Sequence, residues 1–308
     1  MLTNKYVIWG GFNLLVLAML ALDLGIFHRK DHKITAKEGL IWSAIWIAVS
    51  LCFNVVIYFW LGEAKALQFF TGYLIEKSLS IDNIFVFLLI FTYFGVPDKY
   101  QYKVLFWGII GALLMRGIFI GVGALLIAKF HWIIYVFGAF LVYTGIKMGV
   151  SGDSKVDPDK NPILKLVRRF IPLTKNYRNG HFFVKEGGKK FGTPLFVVLI
   201  VIETTDVVFA VDSIPAIFAI TLDPFIVYSS NVFAILGLRA LYFALAGLMD
   251  MFYYLKYGLS AILSFVGVKM LLSAFYKIPD MMALGIIAFL LAISIIISII
   301  KPHKKDNL

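Results

Sequence analysis

The sequence predicts an all-α polytopic membrane protein with about nine transmembrane helices and two inverted three-helix repeats, and three observations predict it. Of 308 residues, 61% are drawn from AVILMFWYC and only 15% are charged. A soluble domain is near half apolar and about a quarter charged. The mean hydropathy is +0.88. Second, the apolar residues gather into stretches near the roughly 20 residues that a helix needs to cross a hydrocarbon core of about 30 Å. Third, the middle of the chain reads as two copies of one unit. Such a composition excludes disordered, collagenous and coiled-coil chains and argues against a soluble enzyme.

In chain order the spans fall at about 6–27, 39–62, 66–95, 103–127, 131–149, 193–220, 225–249, 255–276 and 281–300, a single transmembrane domain over 1–308. The apolar run of the first span is too long for a cleaved leader and no small-x-small cleavage site follows it, so it reads as an anchor. The third and sixth spans are interrupted by charges. Spans 6–27, 39–62 and 281–300 flank two copies of a three-span unit, repeat one at about 66–149 and repeat two at about 193–276. Between the copies lies a basic loop, 150–192. Its Pro158, Pro162, Pro172 and Gly187-Gly188 argue against a folded domain of its own. The segment from Ile163 to Ile171 has a basic amphipathic pattern, either a short helix on an anionic leaflet or plain linker. The single cysteine, Cys52, lies in an apolar run and excludes an internal disulfide or a cysteine-based metal site.

The net charge of +11 is sorted by location. Nine spans put the termini on opposite sides. One set of loops holds Lys5, Lys65, Lys129 and Lys277, four basic residues in all, and the other set holds twenty. The positive-inside rule then puts the N-terminus outside, and the C-terminus and loop 150–192 in the cytoplasm. The surplus charge encodes orientation in a lipid bilayer, and a nucleic-acid partner is not expected.

The duplication is visible residue by residue. Tyr135-Val-Phe-Gly-Ala-Phe-Leu-Val-Tyr-Thr-Gly-Ile-Lys-Met148 aligns without gaps on Tyr257-Gly-Leu-Ser-Ala-Ile-Leu-Ser-Phe-Val-Gly-Val-Lys-Met270, with six of fourteen positions identical. One span earlier, Arg116 aligns with Arg239. In the first span of each copy, Glu76, Asp82 and Asn83 align with Asp206, Asp212 and Ser213. A unit of three spans is odd, so its second copy enters the membrane from the opposite side. Many secondary transporters share this inverted repeat, with a site near the midplane where the copies meet.

Within the spans stand Lys77, Arg116, Lys147, Arg239 and Lys269 against Asp23, Glu76, Asp82, Glu203, Asp206 and Asp212. A charge at the bilayer centre costs on the order of 3 kcal/mol. These groups therefore line a protein interior. Lys147 and Lys269 lie towards span ends and snorkel, whereas Arg116 and Arg239 are central and need carboxylate or carbonyl partners. Five of the six carboxylates fall in the equivalent third and sixth spans, which mutual neutralisation alone does not require. Asp82, Asp212, Glu76, Asp206, Glu203, Asn83 and Ser213 offer only oxygen donors, which suit a hard divalent cation such as Mn²⁺, Mg²⁺ or Ca²⁺. Met148 and Met270 match between copies and read as packing. Asp82 and Glu76 point about 120° apart on an unbroken helix. Pro215, unable to donate to the carbonyl of Val211, predicts a break beside Asp212. Asp23 is either a pathway residue or a helix-to-helix hydrogen bond, and Asn13 and Asn54 read as the latter.

Glu76-Lys-Ser-Leu-Ser-Ile-Asp-Asn-Ile-Phe-Val-Phe, Glu203-Thr-Thr-Asp-Val-Val-Phe-Ala-Val-Asp-Ser-Ile-Pro-Ala-Ile and Ser230-Asn-Val-Phe-Ala-Ile-Leu-Gly-Leu-Arg-Ala-Leu-Tyr resemble the TerC/Alx family of bacterial integral membrane proteins, related to LysE-type exporters. The resemblance covers about residues 10–300. It implies a bacterial inner-membrane location, Mn²⁺ export in the Alx-like branch, and functional acidic groups at Glu76, Asp82, Glu203, Asp206 and Asp212.

The sequence thus predicts a divalent-cation exporter, with Mn²⁺ as cargo and no prosthetic group. Asp82 and Asp212 ligate from two half-sites, with Asn83 and Ser213 beside them. Glu76, Asp206 and Glu203 either ligate or carry protons, and Arg116 and Arg239 hold unliganded carboxylates ionised. Proton influx drives export. The alternative is an assembly or maturation factor that docks partners through loop 150–192. No zinc-protease or Gly-x-Gly-Asp motif supports an intramembrane enzyme, so none is expected.

Overall fold

The structure, a computed structural model, describes residues 2–27, 35–130, 132–150, 171–174, 176–178, 180–186, 188–245, 254–273, 275–276 and 278–300. The amphipathic segment 163–170 and the side chains of Asp23 and Asp82 lie outside what is described. The chain divides into two units, Met1–Ile34 and Thr35–Leu308. The first is helix α1, Leu2–Phe27. Inside it Asn13 Nδ2 donates to the carbonyl of Trp9 at 2.8 Å.

The second unit opens with α2, Ala36–Leu61, which Thr35 and Glu38 start by a reciprocal capping box. That pair satisfies two amides that the first turn leaves without helical partners. Gly62, at φ 91°, separates α2 from α3, Glu63–Tyr93. A turn through Gly95 (φ 59°) and Pro97 leads to α4, Asp98–Lys129. Helix α5 is Ile133–Val150. After strands β1, Phe183–Glu186, and β2, Lys189–Gly192, come α6, Pro194–Phe218, and α7, Pro224–Leu236. Gly237 interrupts the latter, and α8 follows at Leu238–Leu245. Helices α9, Leu255–Leu272, and α10, Asp280–Ile300, complete the described elements.

Seven of these segments are long and apolar enough to cross a membrane: α2, α4, α5, α6, α7 with α8, α9 and α10. The protein is therefore an all-α polytopic membrane protein. Helix α3 has the length, with 31 residues, but its central stretch carries Glu76, Lys77 and Asp82. The apolar part of α1, Val7–Leu22, is shorter than a full span.

Two local expectations need correction. Helix α6 runs unbroken past Asp212, because Pro215 sits in its last turn, where losing one hydrogen bond does not stop a helix that ends at Phe218. The break falls instead at Gly237. The 150–192 loop also carries more order than its prolines imply. Strands β1 and β2 pair antiparallel, Phe183 with Gly192 and Val184 with Phe191, around a turn in which Gly188 has φ 79°. Lys103 Nζ donates to the carbonyl of Gly180 at 2.7 Å and the Tyr177 hydroxyl to that of Phe94 at 2.9 Å. These bonds tie the segment to the α3–α4 turn. Burial pushes the Tyr177 hydroxyl pKa up.

Small residues set how the helices meet, as expected where lipid removes the hydrophobic drive between helices. A Cβ on Gly72 of α3 would lie 2.9 Å from Ser230 Oγ of α7. Five residues on, Lys77 reaches Ala234, so α3 and α7 advance in the same direction. Helices α4 and α6 do likewise, since Gly108 faces Ile202 and Gly123 faces Phe218. Helices α5 and α9 run antiparallel, with Gly138 against Gly267 and Gly145 against Ser260. Gly39 of α2 packs against Ala240 and Ala244 of α8.

Candidate functional site

Four helices deliver polar groups to one buried point. Arg116, near the middle of α4, is 2% exposed, and Glu76 of α3 is 0% exposed. Arg116 Nη1 donates to Glu76 Oε1 and, at 2.7 Å, to Asn231 Oδ1 of α7. Its Nη2 donates to Asp206 Oδ1 of α6 at 3.4 Å. Ser213 Oγ lies 3.5 Å from Nη1, and Asn231 Nδ2 donates to Glu76 Oε2 at 3.3 Å. Asn231 thus clamps both members of the ion pair. One guanidinium between two carboxylates leaves a net negative charge in a low-dielectric interior, where unpaired charge is costly. Asp206 Oδ2 is buried and has no hydrogen-bond partner among the described residues.

Glu203, one turn before Asp206, lays its carboxylate directly over Gly111 of α4, occupying the space that any Cβ there would need. Asp212 lies away from the Arg116 cluster and faces α5, where Thr144 hydrogen-bonds to it and Lys147 is the nearby cation. Lys147 itself is exposed and approaches the Tyr143 ring. Lys269 does not reach outward. It is buried and pairs with Asp280 at 3.2 Å, and Gln68 donates to the other oxygen of Asp280 at 3.2 Å. Arg239 stacks on the Tyr102 ring, 4.3 Å from its centroid. Asn83 is buried.

Lys77 occupies the break in α7. Its ammonium donates to the carbonyl of Ala234 at 3.3 Å, and a Cβ on Gly237 would lie 2.9 Å from Nζ. A cation at the carbonyl end of a helix is favoured by the helix dipole, and glycine leaves it room.

The structure therefore joins Glu76, Asp206, Ser213 and Arg116, with Glu203 alongside, and sets Asp212 apart. Among the described residues no three His, Cys, Asp or Glu side chains converge as a metal cage. Sequence reasoning missed Asn231, Gln68 and Asp280. Asn231 follows Ser229 and Ser230 and matches Gly108 in the other copy, so comparison of the repeats does not single it out. Gln68 and Asp280 lie at span ends, where polar residues are ordinary.

Fold and site together define a polytopic α-helical membrane protein organised around an intramembrane ion-pair network. Residues 61–306 match the family described as the integral membrane protein TerC family. The chain belongs to that family. It is 52% identical over 300 residues to an uncharacterized membrane protein of Myxococcus xanthus, covering 97% of this chain and 94% of that one. It is 46% identical over 310 residues to a protein of Escherichia coli K12 provisionally named membrane-bound redox modulator Alx, covering 98% and 97% of the two chains. A membrane protein of Rickettsia bellii is 41% identical over 299 residues, covering 97% of this chain and 99% of its own. No solved structure matches the chain.

Proposed function

We propose that the protein exports a divalent metal cation, with Mn²⁺ the cargo its oxygen donors fit, across the bacterial inner membrane. The observation that carries this reading is the meeting of Glu76 and Asp206, equivalent carboxylates of the two three-helix units, on one guanidinium. Two carboxylates bind one dication or two protons in competition, which couples export to proton entry. Arg116 balances the pair when the ion is elsewhere, and the arriving cation displaces it. Asp206 Oδ2, free of hydrogen bonds among the described residues, is the oxygen the ion meets first.

Helix packing supports the inverted repeat. The first helix of each unit lies beside the second helix of the other, α3 with α7 and α4 with α6, and runs in the same direction as that partner. Helices related by an axis in the membrane plane pack in this way. Adding α1 and α3 to the seven apolar spans gives nine, with the N-terminus outside and the basic segments in the cytoplasm. The relatives' name, redox modulator, fits an indirect effect of the metal pool, because one cysteine in 308 residues cannot form an intramolecular disulfide.

Cellular manganese, measured in cells with and without the protein under manganese load, tests the reading. The intact chain lowers it, and Glu76→Gln and Asp206→Asn abolish the effect. Asp82→Asn and Asp212→Asn report whether the outlying carboxylates belong to the path. Full activity in both Glu76→Gln and Asp206→Asn, with loss on deleting residues 151–170, would instead favour a docking factor.

A further inference from the structure

The hairpin of β1 and β2 has two unlike faces. Side chains alternate along a strand, and residues paired across an antiparallel ladder share a face. The register pairs Phe183 with Gly192 and Lys185 with Lys190, so these four make one face, while Val184 and Phe191 belong to the other. The first face is turned towards the start of α6. The Phe183 ring lies 4.4 Å, centroid to centroid, from that of Phe196 in the first turn of α6, and a Cβ on Gly192 would lie 3.2 Å from Phe196 Cδ1.

Depth in the bilayer follows from that contact. Helix α6 has 25 residues, about 37 Å of helix, against a hydrocarbon core of about 30 Å and headgroup layers of about 5–7 Å on each side. Its first turn therefore sits where the core gives way to headgroups. Lys185 and Lys190 stand two residues beyond the Phe183 rung, at most about 7 Å from it, which is within one headgroup layer. The hairpin is braced at that height: Thr193 Oγ1 donates to the carbonyl of His181 at 2.7 Å, and the amides of Thr193 and Thr174 donate to the carbonyls of Phe182 and Gly192, each at 2.9 Å. Like charges directly opposite one another in a ladder repel. Both lysines are exposed, and among the described residues neither has a hydrogen-bond or ion-pair partner. An anion shared by the two ammonium groups removes the repulsion.

We propose that the face carrying Phe183, Lys185 and Lys190 binds an anionic phospholipid, with the two ammonium groups on its phosphate and Phe183 against its acyl chains. A lipid fits better than a soluble anion because Phe183, 48% exposed, adds an apolar contact continuous with the lysine pair. The proposal needs α6 to cross the membrane and is independent of any cargo. Because Lys103 and Tyr177 tie the segment before the hairpin to the α3–α4 turn, a lipid bound there holds that turn and the first turn of α6 to the same headgroup.

Hydrogen exchange of the full chain in lipid nanodiscs tests this. Each lysine near an anionic surface favours association about fivefold, so two give an effect of more than tenfold. In discs of phosphatidylcholine mixed with phosphatidylglycerol, the amides of residues 183–192 exchange that much more slowly than in discs of phosphatidylcholine alone. The double variant Lys185→Gln with Lys190→Gln loses the difference, while its α6 amides exchange as in the intact chain and show that it is folded. Lys189→Gln, on the other face of the hairpin, keeps the difference. Inorganic phosphate added to phosphatidylcholine discs does not reproduce it. Equal exchange in the two kinds of disc, or slowing that survives in the double variant, overturns the proposal. So does equal loss in Lys189→Gln, which marks a general charge effect, or the same slowing by inorganic phosphate, which marks a soluble-anion site.

Discussion

Gly138 of α5 and Gly267 of α9 meet backbone to backbone: a Cβ on Gly138 would lie 3.0 Å from the Gly267 carbonyl oxygen, and one on Gly267 would lie 2.7 Å from that of Gly138. Swapping the two sequence repeats turns this pair into Ser260 and Gly145. Those residues also touch, with Ser260 Oγ donating to the carbonyl of Gly145 at 2.6 Å. The crossing is built twice, from positions that the alignment of the two sequence copies pairs.

Gly145→Ala should loosen this crossing. Its methyl would meet the Ser260 carbonyl at 2.8 Å, and overpacking of this kind costs about 1–3 kcal/mol. The midpoint of thermal unfolding in detergent falls accordingly. Gly121→Ala, with nothing within 4 Å, leaves that midpoint in place.

Arg116→Met removes the only cation bonded to Glu76 and Asp206 among the described residues. Stranding a buried charge costs about 3–5 kcal/mol, so the purified variant unfolds at much lower temperature. Adding Glu76→Gln and Asp206→Asn to it recovers most of that loss, while manganese export stays absent.

Gly111→Ala keeps the fold, because the group it displaces is the flexible end of Glu203. Manganese efflux falls several-fold nonetheless. In that background Glu203→Gln brings no further loss, which separates a moved carboxylate from general damage.

Lys77→Met leaves the Ala234 carbonyl without its donor from α3. A buried carbonyl left unpaired costs about 1–3 kcal/mol. The midpoint of thermal unfolding in detergent falls accordingly in Lys77→Met, whereas Lys77→Arg, which keeps a donor for that carbonyl, recovers most of the loss.

Much of this was written in the residue pattern. Equivalent intramembrane charges located the network, because burying Glu76, Arg116 and Asp206 is tolerable only if they find one another. The pattern also gave the order of the helices. It misplaced the helix break because proline was weighed by its presence rather than by its distance from the helix end: Pro215 lies in the final turn, while Gly237 interrupts mid-span. With the helix unbroken, carboxylates six residues apart diverge by about 120°. Glu76 and Asp206 face the four-helix centre, and Asp212, six residues on, turns towards Thr144. The hairpin from Phe183 to Gly192 was hidden by the prolines upstream of it, although two short runs carrying Phe183, Val184 and Phe191 on either side of a Gly-Gly pair are a strand-turn-strand signal.

The interruption at Gly237 has a mechanical consequence. Its counterpart in the first unit, α4, is one unbroken rod of 32 residues, whereas α7 and α8 are two short pieces joined by a glycine. A rod transmits a tilt along its whole length, and a jointed pair can bend at the joint while one piece stays put. The two units are thus related in sequence but unequal in stiffness. A tilt of α4 therefore carries both of its ends together, whereas α7 and α8 are each held by a different neighbour, α7 by Gly72 of α3 and α8 by Gly39 of α2.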